Sequence, residues 1–293
     1  MGSSLDLLTP TGWQDYELID SGQGRKLERF GPVTLDRPET NALWSRRLPA
    51  DRWREADARF EVGAEGGAGE WHFKRPVPDR WEMRYQPLGL RFYTACRPFR
   101  HTGVFPEQAA HWTWLVERLG AARARAKVLV LFGYTGLTTL ALARGGAEVV
   151  HVDASRPAMA WARDNAAASN LADQPIRWLL DDAVAFVRRE RRRGNHYDGI
   201  VMDPPAFGRG PKGEIWRFNS SLPLLLEACA EILDPDPVLV LVNAYAVPAS
   251  ATMLRNLVAD LVPTRGTLTA GELALAGGQR TLATGIFARW SAV

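Results

Sequence analysis

The sequence predicts an α/β fold, a mostly parallel sheet with a small β-rich domain ahead of it, and three observations carry that expectation. The first is the stretch 128–153, VLVLFGYTGLTTLALARGGAEVVHVD, where an apolar run, a glycine turn, a helical pattern and a second apolar run follow one another. The second is the repeated alternation of short apolar runs with helical periodicity from there to about residue 261. The third is a closing pair of β-like segments, 266–274 and 281–290, joined at Gly277-Gly278. The 293 residues, 46% apolar and 24% charged, suffice for a large core. A formal net charge of +3 tolerates a polyanionic partner without demanding one.

Several classes are excluded by what is missing. No apolar run reaches the roughly 18 residues that a membrane helix needs, and the start MGSSLDLLTP lacks a basic segment followed by an apolar one. Cys96 and Cys229, the only 2 cysteines, cannot build a disulfide framework or a multi-thiolate zinc site, so no metal is expected. The chain reads as cytoplasmic.

Residues 1–12 are expected to be mobile. Residues 13–97 have β texture, with strands expected at 16–19, 26–30, 33–35, 71–74, 81–85 and 88–94, and turns at 22–24 and 64–69. Trp13, Trp44, Trp53, Trp71 and Trp81, five of the chain's 11 tryptophans, fall here. They read either as a thin core, which is favoured, or as a base-stacking surface. Residues 98–120 form a turn-rich linker, PFRHTGVFP, and a helix at 107–119. The large domain, 121–293, continues with helices at 137–144, 157–169, 183–192, 222–233 and 250–261. Strands are expected between them at 128–131, 148–152, 176–180, 197–202 and 238–245.

Three motifs carry chemistry. In FGYTG, Gly133 and Gly136 allow close backbone approach to a ligand, or merely a tight turn. Asp153, at the tip of the next strand, lies near the roughly 20-residue spacing at which an acid accepts ribose hydroxyls. Asp203-Pro204-Pro205-Ala206-Phe207-Gly208 follows the strand YDGIVM, so it sits at the carboxyl end of a central strand, where open α/β sheets bind ligands. Its rigid turn offers carbonyls and a carboxylate to an amino group. Asp181-Asp182 ends the third strand, where Asp182 suits a helix cap. Arg188, Arg189, Arg191, Arg192 and Arg193, with Arg209 and Lys212, read as phosphate contacts or as a solvated face; Arg97 and Arg100 would extend such a rim.

Taken in order, FGYTG, VDAS at 152–155, DDAVAFVRRERRRG at 181–194 and DPPAFGRGPKGEIW at 203–216 resemble S-adenosylmethionine-dependent methyltransferases. More narrowly they resemble the bacterial ribosomal-RNA group that includes the large-subunit cytosine-5 enzyme, and YELIDSGQGRKLERFG and HTGVFPEQAAHW extend that likeness upstream. The resemblance implies a Rossmann-like, seven-stranded class I methyltransferase sheet whose last strand runs antiparallel. It implies S-adenosylmethionine as cofactor, with Phe132, Gly133, Tyr134, Thr135 and Gly136 around its methionine part and Asp153, Ala154 and Ser155 at its ribose. Asp182 and Ala183 would lie beside adenine, and Phe105 and Gln108 would cover the cofactor. Asp203, Pro204, Pro205 and Phe207 would border the transfer site, Asp203 also touching the cofactor, and RNA would be the partner.

Two departures stand out. The group's N-terminal RNA-binding PUA module is missing from the chain. Cytosine-5 methylation needs a thiolate to add to the ring, and the corresponding segment here, Val242-Asn243-Ala244-Tyr245, has none. Cys229 reads as core and Cys96 as remote from chemistry. The expectation is transfer to a base nitrogen of RNA, ribosomal RNA foremost. The alternatives are methylation of a protein side chain or small molecule, or a non-catalytic RNA-binding protein on the same fold.

Overall fold

The computed structural model describes residues 5–63, 69–98, 101–121, 125–277 and 280–292. The chain divides into two compact units, one made of residues 9–109 and 274–284, the other of residues 1–8, 110–273 and 285–293. Strand β1 (Asp6–Leu8), inside the segment expected to be mobile, pairs parallel to β16 (Thr267–Gly277).

The β-rich unit follows. Strands β2 (Tyr16–Gly22), β3 (Arg25–Phe30), β4 (Val33–Pro38), β5 (Ala58–Val62) and β6 (Gly69–Phe73) form one sheet in that order. Only β4 and β5 pair in parallel, across the short helix α1 (Ala50–Arg54). Gln23 and Gly24 turn the first hairpin at positive φ (53° and 74°), the geometry of a two-residue hairpin loop. Strands β7 (Trp81–Tyr85) and β8 (Leu90–Thr94) make a separate pair. Two of the five tryptophans lie in the core and three are half-buried. Trp53 and Trp81 are buried, Trp13 packs on Tyr85 at 4.8 Å between ring centroids, and the Trp44 and Trp71 indoles donate to the Ser21 and Arg97 carbonyls. The expected turn at 64–69 lies outside the described residues except for Gly69, as do Arg100 and Gly278.

The second unit is built on β9 (Lys127–Leu131), α3 (Leu137–Arg144), β10 (Glu148–Asp153), α4 (Arg156–Ala168), β11 (Ile176–Leu180), α5 (Ala183–Arg193) and β12 (Gly199–Met202). Helix α2 (Ala109–Ala121) precedes them. They are followed by the hairpin β13 (Phe207–Arg209) and β14 (Ile215–Arg217), α6 (Phe218–Ala230), β15 (Leu239–Ala244), α7 (Ala251–Leu261), β16, and β17 (Arg280–Ser291). The sheet order is β1-β16-β17-β15-β12-β9-β10-β11. Strands β15, β12, β9, β10 and β11 are mutually parallel and β17 is antiparallel to β15, which is the class I methyltransferase arrangement with β1 added as an eighth strand.

The apolar run VLVL is buried on both faces, as a central parallel strand requires. Val128 and Val130 pack with Leu115, Leu119, Val201 and Leu241. Leu129 and Leu131 pack on the other side with Phe186, Ile200, Leu225 and Val242. Each such side chain contributes about 1.5–3 kcal/mol. Cys229 is fully buried in this second cluster.

Candidate active site

Strand register gathers the sequence-predicted acids. Leu131 pairs with Val152 and with Met202, and Asp153 pairs with Leu180. The next residue after each strand is therefore Phe132, Asp181 or Asp203, and all three stand with Asp153 along the carboxyl edge of neighbouring parallel strands. That edge is where such sheets bind ligands.

The glycine loop is held in an unusual backbone path. Phe132 and Tyr134 have φ of 56° and 48°, although neither is a glycine. Non-glycine residues in this region are uncommon and cluster at ligand sites. Gly136, at φ 84°, caps α3, and a Cβ there would lie 2.9 Å from that of Ala162. Gly133 is required for another reason: a Cβ would come within 2.3 Å of the His151 ring. His151 is the floor of the loop. Its Nδ1 is 2.8 Å from the Thr139 hydroxyl, and its ring lies 4.8 Å from that of Trp178. Burial, with the positive charge of Arg163, lowers its pKa to about 3, so the imidazole is neutral.

Asp153 ties this loop to the next. Its Oδ2 accepts the Tyr134 N–H at 2.8 Å and its Oδ1 the Ser155 N–H at 2.7 Å. Ser155 in turn caps α4 through the Ala158 N–H. Burial raises the Asp153 pKa above the usual carboxylate range, against the lowering effect of the two backbone bonds. Asp181 accepts the Asp182 N–H and pairs with Arg189, while its own N–H donates to the Asp153 carbonyl. Asp182 is the N-cap of α5, its Oδ1 accepting the Ala185 N–H at 2.8 Å, with Ala183 opening the helix.

At the end of β12, Asp203 is half-buried and Pro204 buried, while Pro205, Ala206 and Phe207 are exposed. The turn runs into the β13–β14 hairpin, two short strands that the sequence pattern does not predict. Its inward residue, Trp216, donates its indole N–H to the Pro205 carbonyl at 2.6 Å and packs on Phe132 at 4.8 Å between ring centroids. The Pro205 carbonyl thus already has a donor, and the turn also carries the Pro204 carbonyl and the Asp203 carboxylate as acceptor groups. The Arg217 guanidinium lies 6.0 Å from the Phe207 ring, and Arg209 and Lys212 are exposed on the same hairpin.

Two predicted residues belong to the other unit, and several arginines take partners of their own. Phe105 and Gln108 belong to the β-rich unit, where the Gln108 N–H donates to the Phe105 carbonyl. Of the α5 arginines, Arg189 pairs with Asp181, Arg191 with Glu231 and Arg193 with Glu190; Arg188 and Arg192 are exposed. Neither thiol is activated. Burial pushes Cys96 up to about 12 and Cys229 higher still.

Sequence reasoning missed Trp216, His151 and a buried pair, Asn243 in β15 and His111 in α2. Asn243 follows the position paired with Met202, is buried, and acts on His111 as a hydrogen-bond neighbour. The His111 ring meets Phe287, the cross-strand partner of Asn243, at 5.1 Å. The signal that was available was polar residues inside apolar patterns, HVD at 151–153 and VNA at 242–244.

This geometry fits S-adenosylmethionine: a half-buried carboxylate for a diol, a strained loop beside it, and an acceptor turn on the next strand. The S-adenosylmethionine-dependent methyltransferase family matches residues 48–254. A solved SAM-dependent methyltransferase from Agrobacterium tumefaciens is 40% identical, covering 100% of this chain and 97% of that one, with a TM-score of 0.92. Ribosomal RNA large subunit methyltransferase K/L of Chromohalobacter salexigens is 31% identical over 149 residues, 50% of this chain and 19% of that protein. Ribosomal RNA large subunit methyltransferase I of Photobacterium profundum is 40% identical over 82 residues, 28% of this chain and 21% of that protein. The chain spans about a fifth of the length of these two curated relatives.

Proposed function

The chain belongs to the S-adenosylmethionine-dependent methyltransferase family, and from that premise we propose that it methylates a base nitrogen of RNA, ribosomal RNA foremost. The observation that carries this reading is the Asp203–Phe207 turn at the end of β12, with a half-buried carboxylate and an exposed aromatic ring side by side. When bound, S-adenosylmethionine supplies an electrophilic methyl group. Phe132 to Gly136, Asp153 to Ser155, and Asp182 with Ala183 would hold it.

An acceptor nitrogen needs alignment more than activation. Asp203 and the Pro204 carbonyl accept hydrogen bonds from an exocyclic amine, which directs its lone pair inward. Asp203 is also placed to take the proton that the nitrogen gives up. Phe207 stacks on a base drawn out of its helix. Arg209, Lys212, Arg188 and Arg192 offer charge to the phosphates, and the ion-paired Arg189 and Arg191 serve Asp181 and Glu231 first. The names of the two ribosomal-RNA relatives support RNA as the substrate class. The raised thiols and the thiol-free segment 242–245 favour nitrogen over ring carbon.

The test is transfer of labelled methyl from S-adenosylmethionine into total RNA from a strain lacking the protein, followed by nucleoside mass analysis. A labelled N-methyl base is expected. Labelled 5-methylcytosine would overturn the nitrogen assignment, and label in protein or small molecules alone would overturn RNA.

A further inference from the structure

We propose that Trp216 is a positioning residue that couples the cofactor loop to the acceptor turn; the inference rests on the functional reading above. Phe132–Gly136 leaves β9 and Asp203–Phe207 leaves the neighbouring β12, each as a short loop at the end of its own strand. A backbone bond from the Asp203 N–H to the Leu131 carbonyl, long at 3.4 Å, lies at the base of both. Above it, one side chain touches both loops. Trp216 faces inward from β14 and is only 4% exposed, whereas Ile215 beside it is 60% exposed. Its ring face supports Phe132, and its N–H closes on the Pro205 carbonyl.

Each contact has a specific consequence. Phe132 sits at positive φ, a conformation that persists only where surrounding structure enforces it. The indole, tilted 60° against the Phe132 ring, is part of that enforcement. At the other end, the N–H fixes the second proline of the acceptor turn and so the direction in which Phe207 departs. Opposite Trp216 in the hairpin stands Gly208, where a Cβ would lie 3.3 Å from Pro205 Cγ, so the strand partner leaves the indole room to reach across. Ligand that orders Phe132 therefore orders Pro205 and the hairpin, and by linkage acceptor binding strengthens cofactor binding equally.

The coupling can be read without an acceptor. Amide hydrogen exchange across 207–217 is measured on the full chain with and without saturating S-adenosylhomocysteine, for the wild type, Trp216→Phe and Trp216→Leu, and ligand affinity is titrated separately. In the wild type the ligand slows exchange in the hairpin by about fivefold or more, the lower end of ordinary coupling between sites. Trp216→Phe keeps a ring on Phe132 but has no N–H for Pro205: affinity stays close to wild type while the hairpin's response disappears. Trp216→Leu loses affinity as well. A wild-type hairpin that binds ligand without slowing, or a Trp216→Phe hairpin that responds as the wild type does, would show Trp216 to be ordinary core. Failure of the wild type to bind S-adenosylhomocysteine would show in the titration, and would overturn the cofactor reading and the coupling together.

Discussion

Asp153 is held by two backbone N–H groups and yet raised above the usual carboxylate range by burial, which sets how it responds to pH. Ribose hydroxyls bound there would donate to it fully only while it is ionised. Affinity for S-adenosylhomocysteine should therefore fall on acidification, starting above the value of about 3.9 that governs an exposed aspartate. Asp153→Ala should cost about 1.5–3 kcal/mol, roughly tenfold to a hundredfold in affinity, and flatten the acid limb in the same calorimetric titration. Unchanged affinity would mean that the ribose binds elsewhere. Asp203 makes the opposite prediction. Asp203→Ala should lower turnover roughly a hundredfold through lost alignment while leaving cofactor affinity near wild type, and equal losses in both would make it a cofactor or structural residue. Cys96→Ser and Cys229→Ser should each retain methyl transfer in the RNA assay. With thiols raised by burial there is no thiolate to lose, and abolition by either substitution would restore a covalent mechanism.

Among the elements, the glycine loop is set by what lies under it. Gly133→Ala would drive a methyl into the His151 ring and should destabilise the unit by about 1–3 kcal/mol, the usual cost of overpacking. His151→Ala removes the obstacle, so the double variant should lose less than the sum of the two single changes in denaturant titrations; strict additivity would mean that the clash is relieved some other way. The glycine spacing was legible in the sequence, but the histidine beneath it read as one more residue of an apolar strand. The same contrast runs through the elements. The strands at 128–131 and 176–180 and the helix at 137–144 were legible because continuous apolar runs and helical spacing are local signals. The β13–β14 hairpin was not, because strands of three residues are too short for alternation to register. What holds it, Trp216 on Pro205, is a contact across the turn. Helix α6 is expected from the sequence at 222–233. It opens instead at Phe218 with Pro223 inside, on an exposed face where water can serve the freed carbonyl.

For the molecule as a whole, neither compact unit is continuous in sequence, since residues 274–284 of the closing hairpin join the β-rich unit and residues 285–293 the other. Hydropathy patterning carries no signal for such an exchange, although it did disclose the closing hairpin itself. The unit that holds the candidate site also buries two neutral histidines. Burial lowers both His111 and His151 to about 3, with Arg289 adding to the effect at His111 and Arg163 at His151. In the unfolded chain each titrates near 6.5. Above that pH both states are unprotonated and stability is complete. Below it the unfolded chain takes up protons that the folded chain refuses, so stability falls as pH falls. Each histidine should contribute a slope of roughly 1 kcal/mol per pH unit, continuing towards pH 3. Unfolding free energies measured in urea between pH 6.5 and 5 should therefore fall steeply, in a window above most carboxylate titrations. His151→Gln should remove about half of the histidine slope, and the difference between variant and wild type isolates one imidazole from every other titrating group. Equal slopes would mean that the folded protein protonates His151, and the neutral floor under the glycine loop would be lost with that result.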